Sequence, residues 1–158
     1  MTKTTNPTLN QCSGCTKCCF THPCALEPKD LANIARHLWI SETELFNQFL
    51  VLDYVEKAGL RQYYVSPARK ADKPGTMVKP DWTFSESPCI FLNGASCSIQ
   101  QAKPRGSATY YCSLLTSSGQ ELVGYSKKKS AADWSTTIVL KELLELAAKN
   151  SRIRSNSS

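Results

Sequence analysis

Five cysteines crowd into thirteen residues near the start of this chain: Cys12, Cys15, Cys18, Cys19 and Cys24. Thiols at that density leave no room for a helix or strand with a buried face of its own, so the segment is expected to be a loop wrapped on something. Cys89, Cys97 and Cys112 follow far along the chain, making eight in 158 residues. Buried thiols can serve as small hydrophobes, which suits one or two cysteines but not five in so short a run. Cys24, between Pro23 and an apolar helix start, fits that packing role best. In a reducing compartment such a set points to metal ligation or redox chemistry rather than disulfides. Each C-x-x-C turn aims two sulfurs at one point, which is how a soft cation is wrapped. Consecutive side chains diverge, so Cys18 and Cys19 serve two metals, or one of them packs in the core.

The rest of the sequence sets the compartment and the size. Residues 1–11 are polar and read as a flexible N-terminus without the apolar core of a secretory signal, and no later stretch has the length of a membrane span. A cytoplasmic protein with no membrane partner is expected. The length suits one domain over residues 12–149, followed by a polar, disordered tail over 150–158. The formal charge of +6 is uneven: residues 1–100 carry ten basic and nine acidic side chains, residues 101–158 nine and four. Lys127, Lys128, Lys129, Arg152 and Arg154 could attract nucleic acid, an acidic protein or anionic lipid, although solvated surface charge is the simpler reading.

The patterning predicts a small α+β domain. Pro28 opens a helix whose Leu31, Ile34, Ala35 and Leu38 share a face. Ser41 and Glu44 form an S-x-x-E capping box ahead of a second helix with an apolar stripe of Leu45, Phe46, Phe49 and Leu50. Residues 61–66, aromatic and β-branched, read as a strand, and residues 67–82, with three prolines and Gly75, as a surface loop. Asn93-Gly94 between two short apolar runs predicts a hairpin with Cys89 on one arm and Cys97 on the other. A closing amphipathic helix is expected over 132–149 on Trp134, Ile138, Leu143, Leu144, Leu146 and Ala147. The architecture is therefore an N-terminal cysteine loop, two to four helices and a small antiparallel sheet around a metal site.

Zinc would take four thiolates at a closed, redox-silent site and contribute folding energy, and eight cysteines could close two such sites. Iron, or a 4Fe-4S cluster held by four cysteines, is the competing cofactor. C-x-x-C-x-x-C also opens the bacterial ferredoxin run, but there the fourth cysteine precedes a proline, and here His22 stands before Pro23. No second such run follows. His22 is a ligand candidate, more simply read as a neighbour of the site or a surface residue.

Taken together, Cys12-x-x-Cys15-x-x-Cys18-Cys19, Pro88-Cys89-Ile90-Phe91-Leu92, Cys97-Ser98-Ile99 and Lys103-Pro104 resemble the YkgJ family of cysteine-cluster proteins, described as zinc- or iron-chelating, over most of residues 12–112. The acidic helical segment Leu26-Glu-Pro-Lys-Asp-Leu is similar to the family's as well. The resemblance implies a metal site built from Cys12, Cys15, Cys18, Cys19, Cys89 and Cys97, to which the spacing of the N-terminal run adds Cys24. Where the family has R-P-x-x-C, this chain has Lys103-Pro104-Arg105-Gly106-Ser107, and a hydroxyl is a far poorer ligand for a soft metal than a thiolate. The last ligand role therefore passes to Cys112 on spatial grounds.

The function expected is that of a metal-binding protein with a structural, redox or metal-handling role, its partner a metal ion or cluster, with room for a protein partner the sequence does not identify. One branch of the resemblance, similar to flagellin lysine methylase, implies instead an iron-sulfur enzyme of protein methylation. This chain is much shorter, lacks a Gly-rich strand-to-helix turn, and has few acid-base partners: His22, His37 and the scattered Asp30, Asp53, Asp81 and Glu86. A zinc-scaffolded nucleic-acid binder is the other alternative, with Tyr63, Tyr64, Trp82, Tyr110 and Tyr111 as stacking residues. Aromatic pairs on strands more often belong to a sheet's own packing, so nucleic acid is not the expected partner.

Overall fold

The computed structural model describes residues 25–78, 87–94, 96–102 and 127–155. Cys12, Cys15, Cys18, Cys19, Cys24, Cys112 and His22 lie outside them, as do Asp81, Glu86, Trp82, Tyr110 and Tyr111.

Helix α1 (Pro28–Leu38) starts where the proline's fixed φ suits a first helical turn. The Asp30 carboxylate accepts the Glu27 backbone N–H at 2.7 Å, closing the helix's first turn. Leu31, Ile34 and Ala35 are buried, as their spacing predicts. The helix ends in a left-handed residue, Trp39 (φ 59°), and the Ile40 N–H returns to the Ala35 carbonyl at 3.1 Å. Helix α2 (Glu42–Phe49) carries the expected capping box, with Ser41 Oγ accepting from the Glu44 N–H at 3.1 Å and the Glu44 carboxylate from the Ser41 N–H at 2.9 Å.

Leu50 does not continue the α2 stripe. It begins strand β1 (Leu50–Lys57), which pairs antiparallel with β2 (Leu60–Pro67) from Leu50↔Pro67 to Lys57↔Leu60. Strand β2 covers the expected strand, whereas β1 carries no strand signal, because Leu50, Val51 and Leu52 are all buried and show no alternation. The turn between the strands places both Ala58 (φ 53°) and Gly59 (φ 77°) in the left-handed region, the geometry of a two-residue hairpin that usually carries Asn-Gly.

The stretch read as a surface loop is partly built into the sheet. Gly75 N–H donates to Leu50 O at 2.7 Å, Leu52 N–H to Thr76 O at 3.0 Å and Val78 N–H to Leu52 O at 2.9 Å, so residues 75–78 cover the free edge of β1. Gly75 (φ 76°) is required there: a Cβ would come within 2.8 Å of Asn150 Nδ2 and 3.1 Å of Asn47 Cα.

The closing segment is two helices rather than one. Helix α3 (Lys127–Ser135) precedes α4 (Ile138–Ser155), and Thr137 Oγ1 caps the second by accepting from the Leu140 N–H at 3.2 Å. Helix α4 runs past the expected boundary at residue 149 into the stretch read as a disordered tail. Asn150 holds it there, its Nδ2 donating to Gly75 O at 2.8 Å and Asn47 Oδ1 at 2.9 Å. With the short pair β3 (Leu92–Asn93) and β4 (Ser96–Cys97), the described residues form a small α+β domain. One core joins Leu31, Ile34, Phe46, Leu52, Val65 and Trp134.

Candidate metal centre

Two of the eight cysteines, Cys89 and Cys97, fall among the described residues, and backbone pairing positions both, Cys89 in an isolated bridge to Arg69 and Cys97 in a separate two-stranded pair. Beyond Pro67 the β2 backbone continues in extended form and picks up the second cysteine segment: Ile90 N–H donates to Ala68 O and Lys70 N–H to Pro88 O, each at 2.8 Å. These bonds flank the antiparallel bridge Arg69↔Cys89, which makes it a pair without mutual hydrogen bonds, the type with the closest side chains. The Ser87 hydroxyl accepts the Ala71 N–H at 2.7 Å and prolongs the contact. Cys89 is buried, at 8% exposure.

From Cys89 the chain turns, with the Leu92 N–H donating to Cys89 O at 3.0 Å, and enters the hairpin. Its register is Leu92↔Cys97 and Asn93↔Ser96, so Asn93 belongs to the first arm and the reversal starts at Gly94 (φ 61°), one position later than expected. Cys97 sits on the second arm as expected. Cys89 does not sit on the first: it precedes β3 by one turn, where pairing with Arg69 takes it. Both thiols thus flank Leu92, Cys97 across the ladder and Cys89 along the chain. The hairpin is fixed to the core through Phe91, which stacks on Phe49 at 5.3 Å between ring centroids, and through buried Ile99.

The N-terminal cysteine run joins the domain at Leu26. Its N–H donates to Val65 O on the outer edge of β2 at 2.9 Å. Its carbonyl accepts two buried donors from α3, Ser130 Oγ and Trp134 Nε1, both at 2.8 Å. This latch spans more than a hundred positions and has no local signature in the sequence.

The other candidates have structural employment. His37 lies in the last turn of α1, as expected of a helix-end histidine. Asp30 caps α1, and Asp53 accepts the buried Tyr64 hydroxyl at 2.8 Å. Burial above all, and then the Asp53 carboxylate, push the Tyr64 phenol far above its ordinary range. With its ring enclosed, Tyr64 cannot stack on a base. Tyr63 packs edge-on against Tyr54 at 6.1 Å, and Arg61 covers that ring at 4.5 Å.

Among the described residues no three of His, Cys, Asp and Glu gather as a metal-holding group. None of the described helices is long and apolar enough to cross a membrane. The donors present, one buried and one half-buried thiol on adjoining backbone, match in chemistry the soft-ligand sites of zinc and iron. A family model described as "CxxCxxCC: Putative zinc- or iron-chelating domain" matches residues 11–136, a span that includes all eight cysteines. No curated protein and no solved structure gives a significant match.

Proposed function

Since the chain belongs to the CxxCxxCC family of zinc- or iron-chelating domains, we propose that it folds around a thiolate-held zinc ion, iron ion or iron-sulfur cluster and that this centre is its working part. Cys12, Cys15, Cys18, Cys19, Cys89 and Cys97 are the ligand pool, with Cys24 and Cys112 as further members. The observation that carries the reading is the double use of β2. Its outer edge binds Leu26, two residues past the cysteine run, and its extension binds Cys89.

The anchoring points, Val65 and Arg69, are four residues apart, about 13 Å along an extended strand. A tether spans at most about 3.6 Å per residue, so Cys24 can lie up to about 7 Å from Leu26 and Cys19 up to about 25 Å. Cys12, Cys15, Cys18 and Cys19 are therefore within chain reach of Cys89, whereas Cys24 is held closer to Leu26. When bound, zinc would supply a closed, redox-silent cross-link, whereas iron or a cluster would add electron transfer. The chain's own part is to hold the later thiols on rigid backbone and to latch the early segment to the same strand through Leu26. A protein dependent on reduced thiolates belongs in a reducing compartment, the cytoplasm on this reading.

The test is purification without a metal-binding tag under anaerobic conditions, then elemental analysis and an absorption spectrum. Stoichiometric zinc or iron is expected, colourless for zinc and broadly brown for a cluster. Near-zero zinc and iron in fresh protein would overturn the proposal.

A further inference from the structure

Arg69 stands directly opposite Cys89 in the sheet, and its charge is unusually confined. In an antiparallel pair lacking mutual hydrogen bonds, the two side chains project to the same face with Cβ atoms about 5 Å apart. The Arg69 guanidinium meets Asp72 twice, Nε to Oδ2 at 3.2 Å and Nη2 to Oδ1 at 3.3 Å, while the Arg69 N–H donates to the same Oδ2 at 2.9 Å. Both side chains are mostly buried, at 17% and 14% exposure, so the pair is more than a loose surface contact. A four-thiolate zinc site carries two surplus negative charges, and burial makes such charge costly unless a cation stands near.

We infer that Arg69, held in place by Asp72, is the counter-charge of the metal-thiolate centre, acting through Cys89 without touching the metal. The inference rests on the proposed chelating function and assigns a residue that contributes neither sulfur nor imidazole. Its chemistry is electrostatic: the guanidinium favours the anionic, metal-bound state of the adjoining sulfur, and Asp72 fixes its position while offsetting part of its field. Removing the positive member should weaken the centre. Removing the negative member with an amide that still accepts the Arg69 N–H should strengthen it. A purely structural role for the pair would make both changes act in the same direction.

The experiment uses full-length wild type, R69M and D72N reconstituted anaerobically with Co(II), titrated against a competing chelator, with the thiolate-to-cobalt absorption as the signature of sulfur ligation. Wild type should show those bands. R69M should bind Co(II) at least about tenfold more weakly, the scale on which groups behind metal ligands act, and D72N should bind more tightly than wild type. Equal affinities, or weakening in both variants, would overturn the inference while leaving chelation standing. A wild type with no thiolate-to-cobalt bands would instead overturn chelation itself. Should R69M not fold, R69K supplies the contrast: it keeps the charge while giving up the two-point geometry on Asp72, so a loss of less than about tenfold supports the inference and a larger one overturns it.

Discussion

Single residues here are fixed by partners that only the fold brings near. Tyr64 and Asp53 are cross-strand neighbours, and their 2.8 Å hydrogen bond ties the middle of β2 to β1. Because the native phenol keeps its proton at a pH where an unfolded tyrosine, near pH 10, releases it, the unfolded state binds fewer protons in alkali. Stability from this group is intact below about pH 10 and falls above it, by up to about 1.4 kcal/mol per pH unit. Tyr64→Phe should cost about 1.5–3 kcal/mol at neutral pH, the range for a hydrogen bond to a charged group, and should flatten the alkaline decline. Urea melts of both proteins from pH 7 to pH 11 check this. An unchanged alkaline slope in the variant would assign the decline to other groups.

At the scale of elements, the pieces with a periodic or capping signal were legible and those fixed by neighbours were not. Helices α1 and α2 could be read because Leu31, Ile34 and Ala35 recur at helical spacing and Ser41 and Glu44 complete a capping box. Strand β1 shows no alternation, since the consecutive residues Leu50, Val51 and Leu52, which point to opposite faces of the strand, are all buried. The break at Thr136 and Thr137 was invisible because the apolar stripe runs on across it, from Trp134 to Leu140. The pairing of Cys89 with Arg69, twenty residues away, gave no sign in either segment.

Helix α3 has the most consequence for the site, because it holds the Leu26 latch through Ser130 and Trp134. Ser130→Ala should cost about 1 kcal/mol and Trp134→Ala about 3–5 kcal/mol, the latter a large share of a small domain's 5–15 kcal/mol. Denaturant melts give these values. Equal, small losses in both would mean that α3 is not what secures Leu26.

Across the whole molecule, a metal centre answers a problem of architecture. The described strands comprise one eight-residue pair and one two-residue pair, and the latter has little strength of its own. Ligands drawn from both the early loop and the hairpin would tie such weak elements together, so that binding energy becomes folding energy. Metal-edge X-ray absorption on wild type and on the Cys89→Ala and Cys97→Ala variants tests this most directly. The account predicts four sulfur neighbours at about 2.3 Å around zinc in wild type, or the sulfur shell of a cluster around iron, and fewer protein sulfurs or lost metal in each variant. A first shell of nitrogen and oxygen only, or a sulfur shell unchanged in both variants, would contradict it.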